Sequence, residues 1–596
     1  MNLPSIKEII SKARDAFFRF PLTLSWAILG SIFGIFIIEY QPTSLFEEHG
    51  GKVLTLILGV SWLTGTQFLS EQTAKPKIWL WLKLLVLLLL LLYYFHLPEF
   101  IEFDINPKFI TRFFLYLMAG HLFILFAPFA FTWNSAAYWN YLKNIATSIF
   151  KSLFFSGVIF LGLVLAMTAV KFLFDYDLDA KRYGQLFIIC LGIVNSWIFL
   201  ADFPRDIMES TEMKYGKALE VLVTYILIPL ALLYMLILYA YSIKIIVAWE
   251  LPKGWVSYLV TALAFLGFLI QVLINPVQKT LKSWSINYFY PLFYILLGPL
   301  LILLFIAISR RILDYGITEN RYFVFALALW ITGNTLYLLL SKNKSLRILP
   351  ISLFLITMMV SFGFWGAFAV SKNSQAKQFE KVYTHIKKSN GIASGAEFEQ
   401  LRSILIYLNE RDAINLLNEV TGVSIDKTFL DSTETTTRYS YLPTERILDT
   451  LGIHLDPDTV DTIDNRSNYF SYYDPNEKVH NYAIFEYDHF ATLNYNDYEK
   501  SKPMIGPFNV LFNKNNIEMV IVQEDQKGVL SVPLKEGFKK LASYSDFNSI
   551  GDKDLVFEAK NDSIRAKLIF TELGFYMEND SIQINNAKAF LFLKQY

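Results

Sequence analysis

A charge or imidazole near a bilayer midplane costs a few kcal/mol on insertion scales and is kept where it does work. His121 is the one such side chain lying deep inside a long apolar run, where an imidazole offers a proton relay or a hydrogen bond to a neighbouring helix. Asn195, Gln271 and Asn334 lie in similar runs, and a lone amide there reads as glue between helices. Convergence of these three with His121 would instead build a polar cavity for a transported molecule. Lys83, Glu220 and Lys244 stand near helix ends, where long side chains snorkel to the headgroups. Without carboxylates buried in the runs, transport coupled to protons or sodium through paired acids is disfavoured.

Three carboxylates, Glu39, Glu47 and Glu48, gather just beyond the first apolar run, with His49 next to them. Membrane glycosyltransferases that use a lipid-linked donor place a catalytic acid in such a loop and a soluble domain after the last helix; the likeness is one of layout, and a solvated acidic loop explains the same residues. Near the C-terminus, Asp456, Asp458, Asp461 and Asp464 lack the glycine and terminal glutamate of a calcium loop. His480, Glu486, Asp488 and His489 are a poor zinc set, because neighbours on a strand face opposite ways. Ten Phe and Tyr residues crowd Tyr469 to Tyr498, as a sheet core or a stacking surface requires. The common nucleotide-binding and hydrolase motifs are absent, and the single cysteine, Cys190, sits in an apolar run, which excludes a disulfide or thiol site in the tail. No metal or cofactor is expected.

The elements that must hold these residues are set by two solvents. Of 596 residues, 54% are hydrophobic and 18% charged, too apolar for a water-soluble chain of this size. Before residue 371 apolar runs follow one another; after it none is long enough to cross a bilayer. Lys and Arg outnumber Asp and Glu by 28 to 20 in residues 1–370, and the remainder reverses this at 25 to 33. The basic half suits anionic lipids, and the acidic tail excludes a nucleic-acid partner. A span needs roughly 17 to 25 apolar residues, and about eleven segments qualify, from Pro21–Ile38 to Ile348–Val370. The first lacks a cleavage site and reads as an anchor. With a cytoplasmic N-terminus, 16 basic residues flank the inner side and 10 the outer, as the positive-inside rule prefers. An odd number of crossings then puts the tail outside, in the periplasm of a Gram-negative cell.

The tail opens with helical spacing at Phe379, Val382 and Ile386 and a second stripe from Leu401 to Leu417, with Gly422 as a C-cap. Alternation at Phe508, Val510, Phe512 and at Ala566, Leu568, Phe570 predicts strands, with a turn at Asn513 to Asn516 and an exposed linker at Asp426–Arg438. The expected architecture is an all-α membrane bundle of about eleven transmembrane helices (1–370) followed by a soluble α+β domain (371–596).

The seventh run reads Tyr225-Ile-Leu-Ile-Pro229-Leu-Ala-Leu-Leu-Tyr234, then Leu238-Tyr-Ala-Tyr-Ser242, then Trp249-Glu250-Leu-Pro-Lys253-Gly-Trp255. With Arg19-Phe20-Pro21 leading into the first span, it resembles a bacterial family of multi-spanning proteins catalogued as a domain of unknown function (number 4153). The resemblance implies a fold and carries over no catalytic residue. Trp249 and Trp255 bracket a tight turn at headgroup level. A rigid hairpin explains it, and a lipid or substrate headgroup site at Glu250 and Lys253 is the functional alternative. The leading expectation is a non-enzymatic scaffold of the bacterial inner membrane that displays a periplasmic interaction or sensing domain to membrane lipids and an envelope protein partner. The rivals are a lipid or small-molecule translocase and a transferase using Glu39 or Glu48.

Overall fold

The computed structural model describes residues 5–40, 48–72, 76–98, 107–176, 178–203, 207–209, 215–248, 255–278, 284–341, 344–425, 444–456, 468–473, 484–494, 504–513, 516–523, 529–542, 553–578 and 581–596. Contacts divide the chain into two compact units, Met1–Lys388 with Leu401–Asp431, and Ser389–Gln400 with Ser432–Tyr596. The expected boundary at 370 falls inside a helix that runs unbroken to Lys388.

The first unit opens with α1 (Ile6–Arg19), an amphipathic helix started by a Ser5/Glu8 capping box. Three apolar helices, α2 (Pro21–Tyr40), α3 (Gly50–Ser70) and α4 (Pro76–His96), precede α5 (Pro107–Phe126), which ends in a tight 3-10 turn at Ala127–Phe129. Proline heads α2, α4 and α5, where the ring's fixed φ suits the first turn and no intrahelical N–H is lost. Next comes α6 (Ser135–Phe174), 40 residues long, with Asn134 capping its first amides. Two further spans are each interrupted by a π-helical turn: α7 (Lys181–Ile188) meets α8 (Asn195–Ala201) across Ile189–Val194, and α9 (Lys217–Val221) meets α10 (Ile228–Ala248) across Leu222–Leu227. Helices α11 (Trp255–Ile274), α12 (Trp284–Tyr315) and α13 (Glu319–Leu340) complete ten stretches long and apolar enough to cross a membrane among the described residues. The chain is an integral membrane protein: its apolar side chains face outward along these helices, while Thr64, Ser148 and Asn334 are buried between them.

The eleventh expected span, Ile348–Val370, is shorter than its sequence suggested. Helix α14 (Ile348–Ser361) has 14 residues, about 21 Å. The chain turns at Gly363, whose φ of +82° suits glycine, and resumes as α15 (Ala367–Lys388). Helix α14 nonetheless runs antiparallel to α5 and is tied to both its ends: Arg347 binds the Phe129 and Thr132 carbonyls, and Ser361 accepts from Arg112 Nε at 3.1 Å. Phe354 packs midway against Phe123 and Phe126. Helix contacts rely on small residues facing rings: a Cβ on Gly65 would strike Phe123, one on Gly120 would strike Ser61 and Trp62, and one on Gly267 would strike Phe293.

Residues after α15 add strand β1 (Ile392–Ala393) and helices α16 (Gly395–Asn409), α17 (Asn418–Thr421) and α18 (Thr444–Thr450). Phe379, Val382, Ile386, Leu401 and Leu417 are buried as their spacing predicts, and Gly422 caps α17 with φ +73°. Strand β2 (His454–Leu455) pairs in parallel with β1. Then come β3 (Asn468–Tyr473), β4 (His489–Asn494), β5 (Met504–Ile505), β6 (Phe508–Asn513), β7 (Glu518–Gln523), β8 (Val529–Pro533), α19 (Lys535–Ala542), β9 (Val556–Lys560), β10 (Ile564–Glu578) and β11 (Ser581–Gln595). One antiparallel sheet has the order β3-β10-β11-β4 with β9 beside β10, and another the order β5-β6-β7-β8. Both sheets and α19 share one core that includes Phe508, Ile521, Val532, Phe538, Leu568, Phe575 and Leu591. The α+β expectation holds, with the alternating residues Val510, Ala566 and Phe570 facing inward. The expected linker Asp426–Arg438 lies outside the described residues.

Candidate functional site

Five segments of the first unit, α2, α3, α5, α6 and the α7–π–α8 span, leave a cavity of about 700 Å³ between them, within the range that holds small molecules and lipid chains. The wide π turn at Ile189–Val194 borders it, and irregular turns of this kind recur at functional sites. Gly192 lets α2 approach closely, since a Cβ there would collide with Ser31 Oγ.

The walls are mainly apolar, including Val60, Leu153, Phe187 and Leu191, with a polar group formed by Ser31, Ser61, Thr64, His121, Ser152, Asn195 and Ser196. Four of these hydroxyls donate to carbonyls of their own helices: Ser31 to Ala27 at 2.8 Å, Ser61 to Leu58 at 3.1 Å, Thr64 to Val60 at 2.7 Å and Ser152 to Ile149 at 3.1 Å. Such back-bonding spends the hydrogen and leaves an oxygen lone pair. His121 Nδ1 lies 2.8 Å from the Leu117 carbonyl, which only accepts, so Nδ1 carries a proton, and in the tautomer this selects the lone pair is on Nε2. Although His121 is in the middle of α5, its side chain is exposed. Asn195 Oδ1 has no hydrogen-bond partner. Among the described residues no Asp, Glu, Lys or Arg lines the cavity.

Of the four polar residues whose convergence would mark a cavity, the fold brings two together. Gln271 donates to Gln278 at 3.3 Å, and Asn334 donates to the Trp330 carbonyl at 2.8 Å and to Ser352 at 3.3 Å; neither lines the cavity. Glu39 is engaged at the far end of α2, where its carboxylate takes hydrogen bonds from Gln185 at 2.7 Å and from Arg182 at 2.9 and 3.3 Å. A carboxylate held this way ties α2 to α7. Glu48 is exposed in the turn before α3. Trp249, Glu250 and Lys253 lie outside the described residues, and of Trp255 only the backbone, which starts α11, is described. In the second unit Asp488 accepts from the Gln595 amide at 2.8 Å and Glu486 pairs with Arg565 at 3.5 Å, while His480, Asp458, Asp461 and Asp464 fall outside the described residues. Among the described residues no three metal-ligating side chains gather. The aromatic stretch divides: Phe470 stacks on Phe575 at 4.9 Å, whereas Phe485 and Phe490 are exposed.

Sequence reasoning missed three charged clusters that fix the helix ends. Arg19 grips Glu71 with two nitrogens, at 3.0 and 2.9 Å, donates to the Phe203 carbonyl at 2.9 Å and lies over Phe20 and Phe68. Asp202 joins Lys151 and Ser148, each at under 3 Å. Glu319 accepts from Arg411 at 2.8 Å and from Tyr407 at 2.6 Å; burial and the Glu319 charge push the Tyr407 phenol well above its usual range. The Arg-Phe-Pro motif pointed toward the first cluster, but Glu71 sits at a span end where an acid looks merely solvated.

The family described as "Domain of unknown function (DUF4153)" matches residues 49–387, which include the walls contributed by α3, α5, α6 and α7–α8. An uncharacterized protein of Pasteurella multocida (strain Pm70) is 25% identical over 269 residues, covering 44% of this chain. The match spans 45% of that protein's own length, less than half of it. No solved structure matches.

Proposed function

We propose, from the premise that this chain belongs to the DUF4153 family, that it binds an amphiphile drawn from the surrounding bilayer and carries it between the leaflets or presents it at the membrane surface. One observation carries the reading: His121 and Asn195, distant in sequence, both line an uncharged cavity of about 700 Å³ inside an apolar bundle. An ion or a charged metabolite would need opposite charge in the walls, whereas an acyl chain is solvated by the side chains present. Engagement of Glu39 by Arg182 and Gln185 weighs against the transferase reading.

The proposed setting is a bacterial inner membrane with the N-terminus cytoplasmic and the second unit periplasmic. The excess of basic residues on the inner flanks supports it, as does the antiparallel course of α14 along α5, which we read as an eleventh crossing. Display of the second unit to an envelope protein remains a second reading, favoured by the exposed rings of Phe485 and Phe490.

Native mass spectrometry of the detergent-purified full chain tests the amphiphile reading. Co-purifying lipid is expected on the native protein and is expected to disappear in Leu153→Trp, which fills the cavity from a half-exposed wall position. Equal lipid on both proteins, with both folded, argues for display alone.

A further inference from the structure

The chemistry of the walls narrows the class of amphiphile. Resting on the reading above, we infer that the cavity selects an uncharged lipid whose head is a hydroxyl, such as a long-chain alcohol or an acylglycerol, over lipids that carry phosphate.

Four hydroxyls at Ser31, Ser61, Thr64 and Ser152 have turned their hydrogens toward their own helices, so what each has left to offer is an acceptor. His121 adds a further acceptor at Nε2, because Nδ1 is committed to Leu117. Asn195 supplies an amide whose Oδ1 has no partner within the chain, which adds one more acceptor. An alcohol matches this inventory: its O–H is a donor for an acceptor such as His121 Nε2 or Asn195 Oδ1. A phosphate does not, since its oxygens are all acceptors and carry charge. Recognising it takes guanidinium, ammonium or a bank of backbone N–H groups. Lys151 is the nearest cation along α6, and it is paired with Asp202 at 2.9 Å. A bare hydrocarbon would fit the apolar wall but leave the Asn195 and His121 groups unsatisfied, at a cost comparable to a lost hydrogen bond.

Hexadecanol, hexadecane and hexadecyl phosphate, titrated separately into the detergent-solubilised full chain and followed by native mass spectrometry, separate the outcomes. The alcohol is expected to bind about fivefold more tightly than the alkane, the gain from one net hydrogen bond. The phosphate is expected to bind more weakly than the alcohol. His121→Leu and Asn195→Leu should each bring the alcohol-to-alkane ratio toward one while alkane binding, which reports an intact cavity, is kept; His121→Gln, whose amide restores an acceptor, should recover part of the preference. Tightest binding by the phosphate, or equal binding of alcohol and alkane to the native chain, overturns the headgroup inference and leaves the amphiphile reading standing. Failure of all three probes to bind overturns both.

Discussion

Asn334 and Asn195 both sit on apolar helices, and their amides meet opposite surroundings. On α13, Asn334 is buried, donates to Trp330 and Ser352, and lies beside a dense aromatic layer in which Trp330 packs on Phe265 and Phe268 at 5.2 and 5.3 Å. On α8, Asn195 borders open space and leaves Oδ1 unmatched. The same residue type is spent on cohesion in one region and held in reserve in the other. Partner availability, and not residue identity, separates a structural amide from a binding one.

The largest effect is expected where the packed region is tightest. Gly267→Ala pushes a methyl into Phe293, which is fully buried, and overpacking of that kind costs about 1–3 kcal/mol; a lowered unfolding midpoint in detergent would register it. Gly192→Ala, facing the small Ser31 side chain beside the cavity, should cost less, and an equal loss would erase the contrast between the two regions. Asn334→Leu should destabilise by about 1 kcal/mol, the scale of a hydrogen bond between membrane helices, as read by an SDS unfolding titration. Glu39→Gln keeps a hydrogen-bonding group for Gln185 and removes a surface ion pair, so its small shift in midpoint should vanish at high salt. Asn195→Leu is expected to leave the midpoint nearly unchanged, because it removes an amide oxygen that bonds to nothing. A loss as large as that of Asn334→Leu would mean that both amides are structural.

Much of the bundle was legible because a membrane forces every backbone amide into a helix, so length and hydropathy alone set ten of the spans. The eleventh was overextended because Phe362, Gly363 and Phe364 are as apolar as a span while the backbone turns there. His121 stood out as costly in its place. What sequence does not encode locally is which faces meet: Asn195, Gln271 and Asn334 look alike until helix rotation brings one to the cavity, one to Gln278 and one to Ser352. Arg347 is in sequence one more positive charge flanking a span, yet its partners are carbonyls of Phe129 and Thr132, which any sequence would supply. In the second unit the alternation from Phe508 and from Ala566 sufficed, since one face of each strand meets a core and the other meets water.

Helix α6 offers a gauge of depth. Its buried residues end at Ser156, and the remaining turns to Phe174, about 27 Å, are bare on nearly every side. That stretch equals the thickness of a hydrocarbon slab, so oil begins close to Ser156 and ends close to Asp175. Ser152 and Leu153, which line the cavity, fall at the Lys151 margin of this slab. From there the lining climbs α2 as far as Gly34 and α7 as far as Phe187, so most of the cavity lies within the slab and not at its margin.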